Sequence, residues 1–160
     1  MSRRGLISMT DGEVADFLEQ RRTIVLGTVK PDGRPHLVPM WFVPGSVVPG
    51  GTVVELWTFA KAQKTLNLRR DPRATLMAET GSSYDQLRGV SLECDVEALE
   101  VPGDIERIGT ALGRRYGTWE PADEPAALEA VRAQVPKRVG FRFTPTRTIS
   151  WDHRKLGGGY

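Results

Sequence analysis

Apolar residues recur along the chain at two spacings, one typical of helices and the other of strands. Thr10 and Glu13 match a capping box, which marks the start of a helix. The apolar residues that follow recur at the helical spacing of three and four residues. A short basic segment before Asp71-Pro72 also suits a helix, which should end there because the residue before a proline avoids helical angles. The predicted helices span about 11–21, 61–70, 104–115 and 124–134.

Runs of β-branched residues and strict alternation predict six strands. Residues 90–98 alternate between apolar and polar side chains, so one face of that strand should meet the core and the other water. Residues 31–33 (Pro-Asp-Gly) have the chemistry of a tight turn and predict a hairpin, whereas residues 44–51 (PGSVVPGG) are interpreted as a loop. The predicted strands span about 23–29, 34–43, 52–59, 73–79, 87–100 and 138–149.

This order of elements predicts a mainly β protein with helices. Hairpin-linked strands without regular crossovers favour an antiparallel sheet or barrel. The 160 residues suit a single domain over 1–160, with the tail 151–160 as its one unusual segment. That tail contains three glycines, which are typical of a disordered end, yet its Trp151, Leu156 and Tyr160 are costly to leave in water. A disordered end and a tail that docks on a dimer near a cofactor are therefore both open.

Composition narrows the range of functions. The net charge of +2 argues against a nucleic-acid binder, which would be strongly and locally basic. The single cysteine, Cys94, excludes an internal disulfide and a cysteine zinc cluster, and it suits a cytoplasmic protein. No apolar run approaches the roughly 20 residues of a membrane span, so no membrane partner is expected.

The junction between the third strand and the short basic helix is the first candidate site. A helix N-terminus offers free backbone N–H groups and a partial positive charge, both of which suit a phosphate. Lys61 and Lys64 are expected on one face of this helix, and Thr58 adds a hydroxyl. Arg70, near the end of the helix, is a further candidate for an anion. The alternative is an ordinary solvated basic helix, with Arg70 balancing its dipole.

The second candidate site is the strand that contains His36, Val38, Pro39, Met40 and Trp41. Two prolines remove two donors from this strand, which should therefore be an edge, carry a bulge or face a ligand. Both of its faces are apolar, so one should pack on the core and the other on something flat or on a partner subunit. His36 as an ordinary strand residue and Trp41 as a core residue are the alternatives.

Familiar catalytic motifs are missing from the sequence. It has no GxGxxG, Walker or HExxH motif, no GxSxG elbow and no paired nucleophile and base. If the protein is an enzyme, its chemistry should therefore belong to a cofactor.

The sequence resembles the pyridoxamine-phosphate-oxidase-like superfamily in three stretches. These are TIVLGTVKPDGRPHLVPMWF, VELWTFAKAQKTLNLRRDPRATLMAE and GVSLECDVEAL, with a weaker echo in KRVGFRFTPTRTISW. The block K-x-x-K-T-x-N-L-R-R-D-P-R, from Lys61 to Arg73, is the most specific part. The match looks most like the deazaflavin-dependent oxidoreductase branch. The arginine–lysine pattern of true pyridoxamine-phosphate oxidases is incomplete, which argues against that reaction.

The resemblance implies a six-stranded antiparallel split β-barrel of the FMN-binding type that forms a homodimer with cofactors between the subunits. It implies that Lys64 contacts the cofactor phosphate, in the segment that also holds Thr58 and Lys61. Some relatives have an arginine where Ala62 stands, and Lys61 is a candidate replacement for that contact. It places the strand from His36 to Trp41 beside the cofactor ring.

The function implied by the resemblance is a reductase that uses coenzyme F420 to transfer a hydride to a conjugated small molecule. One alternative keeps the fold and uses FMN, as an oxidase or a flavin reductase. Another is a binding protein for a cofactor or for haem, without turnover.

Overall fold

The computed structural model describes residues 3–117 and 119–157 of the chain. Its strands are β1 (Ile24–Val29), β2 (Pro35–Met40), β3 (Val43–Val48), β4 (Gly51–Phe59), β5 (Arg73–Thr80), β6 (Arg88–Leu99) and β7 (Arg138–Asp152). Its α-helices are α1 (Arg3–Ile7), α2 (Asp11–Glu19), α3 (Gln63–Arg70), α4 (Pro102–Tyr116) and α5 (Glu124–Gln134). None of the helices in these ranges is long and apolar enough to cross a membrane.

The strands form one antiparallel sheet in the order β2-β1-β5-β6-β7-β4-β3. The long β7 holds the two halves together, because it pairs with β6 over most of its length and with β4 near its start. A register shift opposite Glu93 and Cys94 interrupts its pairing with β6. Such an irregularity bends a strand and increases its twist, which helps the sheet to curl around a core.

The main core lies inside this curved sheet and is closed by helix α2. Phe17 and Leu18 of α2 are fully buried there, together with Phe42, Phe141 and Phe143. A smaller cluster lies on the outside of the sheet, where Leu99, Ile108 and Leu112 bury the inner face of α4. The amphipathic pattern of α4 therefore faces the sheet and not the main core.

Most of the local predictions are confirmed. Helix α2 carries the expected capping box, in which Thr10 accepts from the backbone N–H of Glu13 and Glu13 accepts from that of Thr10. The hairpin between β1 and β2 turns through Gly33 at a φ of 83°, which favours glycine. Val90, Leu92 and Cys94 of β6 face the core as predicted, whereas Ala98 is exposed.

Two predictions about elements are wrong. Seven strands are found in the described ranges, where six were expected, because part of the supposed loop 44–51 forms β3. Pro44 is tolerated there since β3 is an edge strand, where a missing N–H costs little. Helix α3 begins at Gln63 and not at Lys61, so the two lysines do not share a helix face.

The described part of the tail packs on its own chain. Residues 153–156 form a short 3-10 turn, in which Lys155 donates to the backbone oxygen of Ser8 and to Glu13. The backbone N–H of His153 donates to the oxygen of Leu87. Docking of the tail on a dimer stays a prediction, and its final residues, with Tyr160, lie outside the described residues.

Candidate functional site

The predicted phosphate site lies at the junction between β4 and α3. Phe59 ends β4, and the chain turns through Lys61 to Ala62, the N-cap of α3, which provides no side-chain hydrogen bond to the helix. The hydroxyl of Thr65 donates to the oxygen of Phe59 at 2.9 Å and fixes the helix start against the strand. The first turn of α3 therefore has a defined position and no side-chain cap on its N–H groups.

Lys64 and Arg138 bring two positive charges together at this junction. Burial and the nearby charge of Arg138 both lower the pKa of Lys64. Burial also lowers the pKa of Arg138, whose Nε is buried without a hydrogen-bond partner. Two half-buried cations that repel each other are unfavourable by themselves, and an anion between them would relieve the repulsion.

Arg138 is held in place by aromatic rings. Its guanidinium carbon lies 3.7 Å from the centre of the Phe59 ring and 5.0 Å from that of Trp57. Trp57 is fixed in turn by α4, since a Cβ at Gly109 would lie 2.4 Å from the indole. The arginine thus rests on a rigid surface, and cation–π contact of this kind orients it.

Two further lysines have their backbones beside the same junction. The backbone N–H of Ala60 donates to the oxygen of Lys137 at 3.0 Å, which places the backbone of Lys137 next to the turn that contains Lys61. In the described ranges, Lys61, Lys64, Lys137 and Arg138 form no ion pair with a carboxylate, whereas most of the other basic side chains do. We call these four residues the basic cluster.

The other predicted phosphate ligands have different surroundings. Thr58 is buried within β4, paired with Val139 of β7. Arg70 lies at the far end of α3, where its guanidinium donates to the backbone oxygen of Val29. The structure therefore brings Lys64 near Arg138, whereas Arg70 joins α3 to β1. The roles of Thr58 and Arg70 in cofactor binding stay predictions.

Strand β2 is an edge strand with two different faces, as its prolines predicted. Val38 and Met40 pack partly against the main core, and the half-buried His36 is paired with Thr28 of β1. Pro39 and Leu37 lie on the opposite face, where Leu37 is 66% exposed.

A cleft of about 490 Å³ lies beside this exposed face. Its lining includes residues from β1, β2 and β5, among them Gly27, Val29, Pro35, Leu37 and Thr75. Its edge carries the charged pair Asp71 and Arg73. The cleft is largely apolar with a polar edge, which suits a flat organic molecule.

Trp41 is not a core residue. It follows β2 and is 59% exposed, and its ring stacks on that of Tyr116 at 4.7 Å with 4° between the planes. The hydroxyl of Tyr116 donates to the oxygen of Phe42 and accepts from its N–H, which fixes the ring beneath Trp41. Trp41 thus presents a flat aromatic surface to solvent, and its contact with a cofactor stays a prediction.

Sequence reasoning missed Arg138 and Lys137. Arg138 begins the last strand and Lys137 directly precedes it, and Arg138 comes near Lys64 only because Phe59 is paired with Arg138 in the sheet. The only signal in the sequence was a pair of adjacent basic residues before VGFRF, to which no role had been assigned.

The arrangement can bind an anion, and it suits a phosphate-bearing cofactor. Two cations without carboxylate partners, a buried unpartnered N–H and an uncapped helix start are the groups that a phosphate requires. Among residues 3–117 and 119–157, no group of histidine, cysteine and carboxylate side chains could hold a metal ion. The one described cysteine, Cys94, is buried, which raises its pKa to about 12 and keeps the thiol protonated.

Solved structures similar to this chain share its fold. The "conserved hypothetical protein Rv2991" of Mycobacterium tuberculosis is 43% identical, with a TM-score of 0.83 over 100% of this chain and 95% of that one. A structure named "F420 Reductase" is 24% identical, with a TM-score of 0.61 over 83% and 93%. A FAD-binding protein of Mesorhizobium loti is 18% identical, with a TM-score of 0.62 over 89% and 93%. The last two show the fold alone.

The sequence also matches a family of known proteins. No curated protein matches the chain. The family model of pyridoxamine 5'-phosphate oxidase, however, matches residues 10–152, which is most of the chain. The fold is the split β-barrel of that superfamily, as the sequence predicted. The chain therefore belongs to the pyridoxamine 5'-phosphate oxidase family.

Proposed function

We propose that this protein is an oxidoreductase that binds coenzyme F420 and transfers a hydride from its reduced form to a conjugated small molecule. The observation that carries the proposal is that Lys64, in the first turn of a helix without a side-chain cap, lies near Arg138, and that neither forms an ion pair with a carboxylate in the described ranges. This site suits the cofactor phosphate. The reduced deazaflavin supplies the hydride when it is bound.

The protein's own residues then have three tasks. Lys64 and Arg138 neutralise the phosphate, and the rings of Phe59 and Trp57 keep Arg138 oriented toward it. The edge strand β2, from His36 to Trp41, borders the cofactor ring, and the cleft beside it receives the substrate. In this proposal the substrate is protonated by solvent.

The size of the basic cluster favours F420 over FMN. A phosphate monoester carries at most two negative charges, which Lys64 and Arg138 would balance. Lys61 and Lys137 remain as two further cations without carboxylate partners at the same junction. They suit a cofactor with anionic groups beyond its phosphate, as F420 has in its carboxylate-bearing tail.

FMN is the second candidate, because the family match itself concerns pyridoxamine 5'-phosphate oxidase. The two cofactors are distinguished by titrating the purified apoprotein with each and following fluorescence. We expect F420 to bind more tightly than FMN. Tighter binding of FMN would favour an oxidase or a flavin reductase, and binding of neither would contradict a flavin-type cofactor.

We further propose that the protein acts as a homodimer. The exposed face of the sheet carries Val29, Leu37 and Met77, side chains that are costly to leave in water. A second copy would cover this face and close the cleft beside β2. Sedimentation should show a dimer, and Leu37→Glu should yield monomers that bind the cofactor more weakly. A wild-type monomer would contradict this part of the proposal.

A further inference from the structure

Helix α3 is attached to the sheet by a buried amide. The side chain of Asn67 is 1% exposed, and its Nδ2 donates to the Oγ1 of Thr28 at 3.0 Å. Its Oδ1 accepts from the Nε2 of Gln63, one turn earlier in the helix, at 2.9 Å. Thr28 is itself 2% exposed, so this hydrogen bond is closed off from water.

A polar group at this position needs an explanation. The helix could be packed by an apolar residue, as its neighbour Leu68 is. A buried amide stabilises a fold only when its partners are in place, and an unsatisfied one is costly. The bond between Asn67 and Thr28 thus allows only one rotation of α3 about its axis, which apolar packing alone would not enforce.

That rotation determines where Lys64 points. Asn67 follows Lys64 by three residues, so the two side chains lie on neighbouring parts of one helix face. At the same time Thr28 is paired with His36 in the strand proposed to border the cofactor ring. A single hydrogen bond therefore joins the helix of the phosphate site to the strands of the ring site.

We propose that Asn67 is a positioning residue, which holds Lys64 in register with the ring-binding strands through its bond to Thr28. This inference rests on the proposed function of the site. Its consequence is specific: the bond contributes to cofactor binding only through Lys64.

The test uses an isosteric pair of variants. Thr28→Val removes the acceptor and keeps the shape of the side chain, whereas Thr28→Ser keeps the hydroxyl. Titration with F420 and with FMN should show a dissociation constant raised roughly five- to tenfold by Thr28→Val. Thr28→Ser should restore binding close to that of the wild type. Equal binding by Thr28→Val and the wild type would overturn the inference.

A double-mutant cycle separates positioning from general damage. In a Lys64→Met background, Thr28→Val should change the dissociation constant by less than about twofold, because the residue it positions has gone. An equal loss in both backgrounds would overturn the inference. If Thr28→Val does not fold, Gln63→Met removes the outer bond and should give a smaller loss with the same dependence on Lys64.

The same data distinguish this inference from the proposed function. A wild-type protein that binds neither cofactor contradicts the function itself. Normal binding by Lys64→Met contradicts the phosphate site, and the positioning role with it. Weak binding by Lys64→Met, together with normal binding by Thr28→Val, contradicts only the role of Asn67.

Discussion

Two regions of the molecule concentrate positive charge. In one region the cations form ion pairs with carboxylates, and in the other they form none with any described carboxylate. Where the two ends of the chain meet, Arg154 forms a bidentate pair with Asp152, Arg88 lies within 3.6 Å of the same carboxylate, and Lys155 pairs with Glu13. In the basic cluster, the four cations have no carboxylate partner within the described ranges. Charges of the first kind hold the fold together, and those of the second kind are available to a ligand.

The largest effect should come from the paired region, by which we mean the ion pairs among Glu13, Arg88, Asp152, Arg154 and Lys155. Asp152→Asn removes a 4% exposed carboxylate from between Arg88 and Arg154, and it should lower the free energy of unfolding by about 2–4 kcal/mol. Chemical denaturation measures this loss. Binding of F420 by the folded variant should be unchanged, and a weaker affinity would mean that the two regions are not separate.

The same carboxylate predicts acid sensitivity. Hydrogen bonds from Arg154 lower the pKa of Asp152 below its ordinary 3.8. Its contribution to stability is therefore complete above that value and is lost as the pH falls through the lower folded-state pKa. Unfolding measured between neutral and strongly acidic pH should show this loss in the wild type, and the Asp152→Asn variant should lack it.

The next effect belongs to the basic cluster. Lys64→Met and Arg138→Met should each weaken cofactor binding by about 1.5–3 kcal/mol, the range for a hydrogen bond to a charged group. Lys64→Met should not destabilise the free protein, because it relieves the repulsion between the two cations. Arg138→Met relieves the same repulsion but loses the contacts with Phe59 and Trp57, so its cost in stability should stay below about 1 kcal/mol. Titration and thermal unfolding check both points. A large loss of stability in either variant would show that the charge is structural after all.

The repulsion between Lys64 and Arg138 should also affect the stability of the protein at alkaline pH. Burial and Arg138 lower the pKa of Lys64 from 10.5, so the folded apoprotein binds fewer protons than the unfolded chain just below that pH. Lys64 should thus add stability as the pH rises from its lowered pKa toward 10.5. Thermal unfolding of the wild type should show this increment, and Lys64→Met should not.

The smallest effects distinguish the cofactors. Lys61→Ala and Lys137→Ala should each weaken F420 binding by about 0.5 kcal/mol, since exposed charge pairs contribute little. They should leave FMN affinity unchanged. Lys155→Ala, the matched change in the paired region, should leave both affinities unchanged. Equal losses of affinity for F420 and FMN would contradict the argument that the basic cluster has more positive charge than one phosphate requires.

The sequence predicts what depends on neighbouring residues. The capping box of Thr10 and Glu13, the turn at Gly33 and the alternation around Leu92 are local patterns, and all three are confirmed. Strand β3 was missed because Pro44 and Gly45 look like part of a loop, and only the register with β4 makes this segment an edge strand. The fold was therefore predictable, apart from one edge.

In the candidate site, only the residues that lie close together in the sequence were predictable. Lys61 and Lys64 are three residues apart in the sequence and could be found from the pattern of a helix start. Arg138 comes near Lys64 through the pairing of β4 with β7, and Asn67 of helix α3 bonds to Thr28 of strand β1, 39 residues earlier in the chain. Such contacts depend on strand register, which a single sequence does not specify.

Strand β7 begins with Arg138 of the basic cluster and ends with Asp152 of the paired region. The strand pairs first with β4 and then with β6, with one register shift opposite Glu93 and Cys94, and so it connects the proposed ligand site to Asp152. A ligand that stabilises the start of β7 should therefore slow amide hydrogen exchange there most strongly, and slower exchange beyond the register shift would show that both ends of the strand open as one unit.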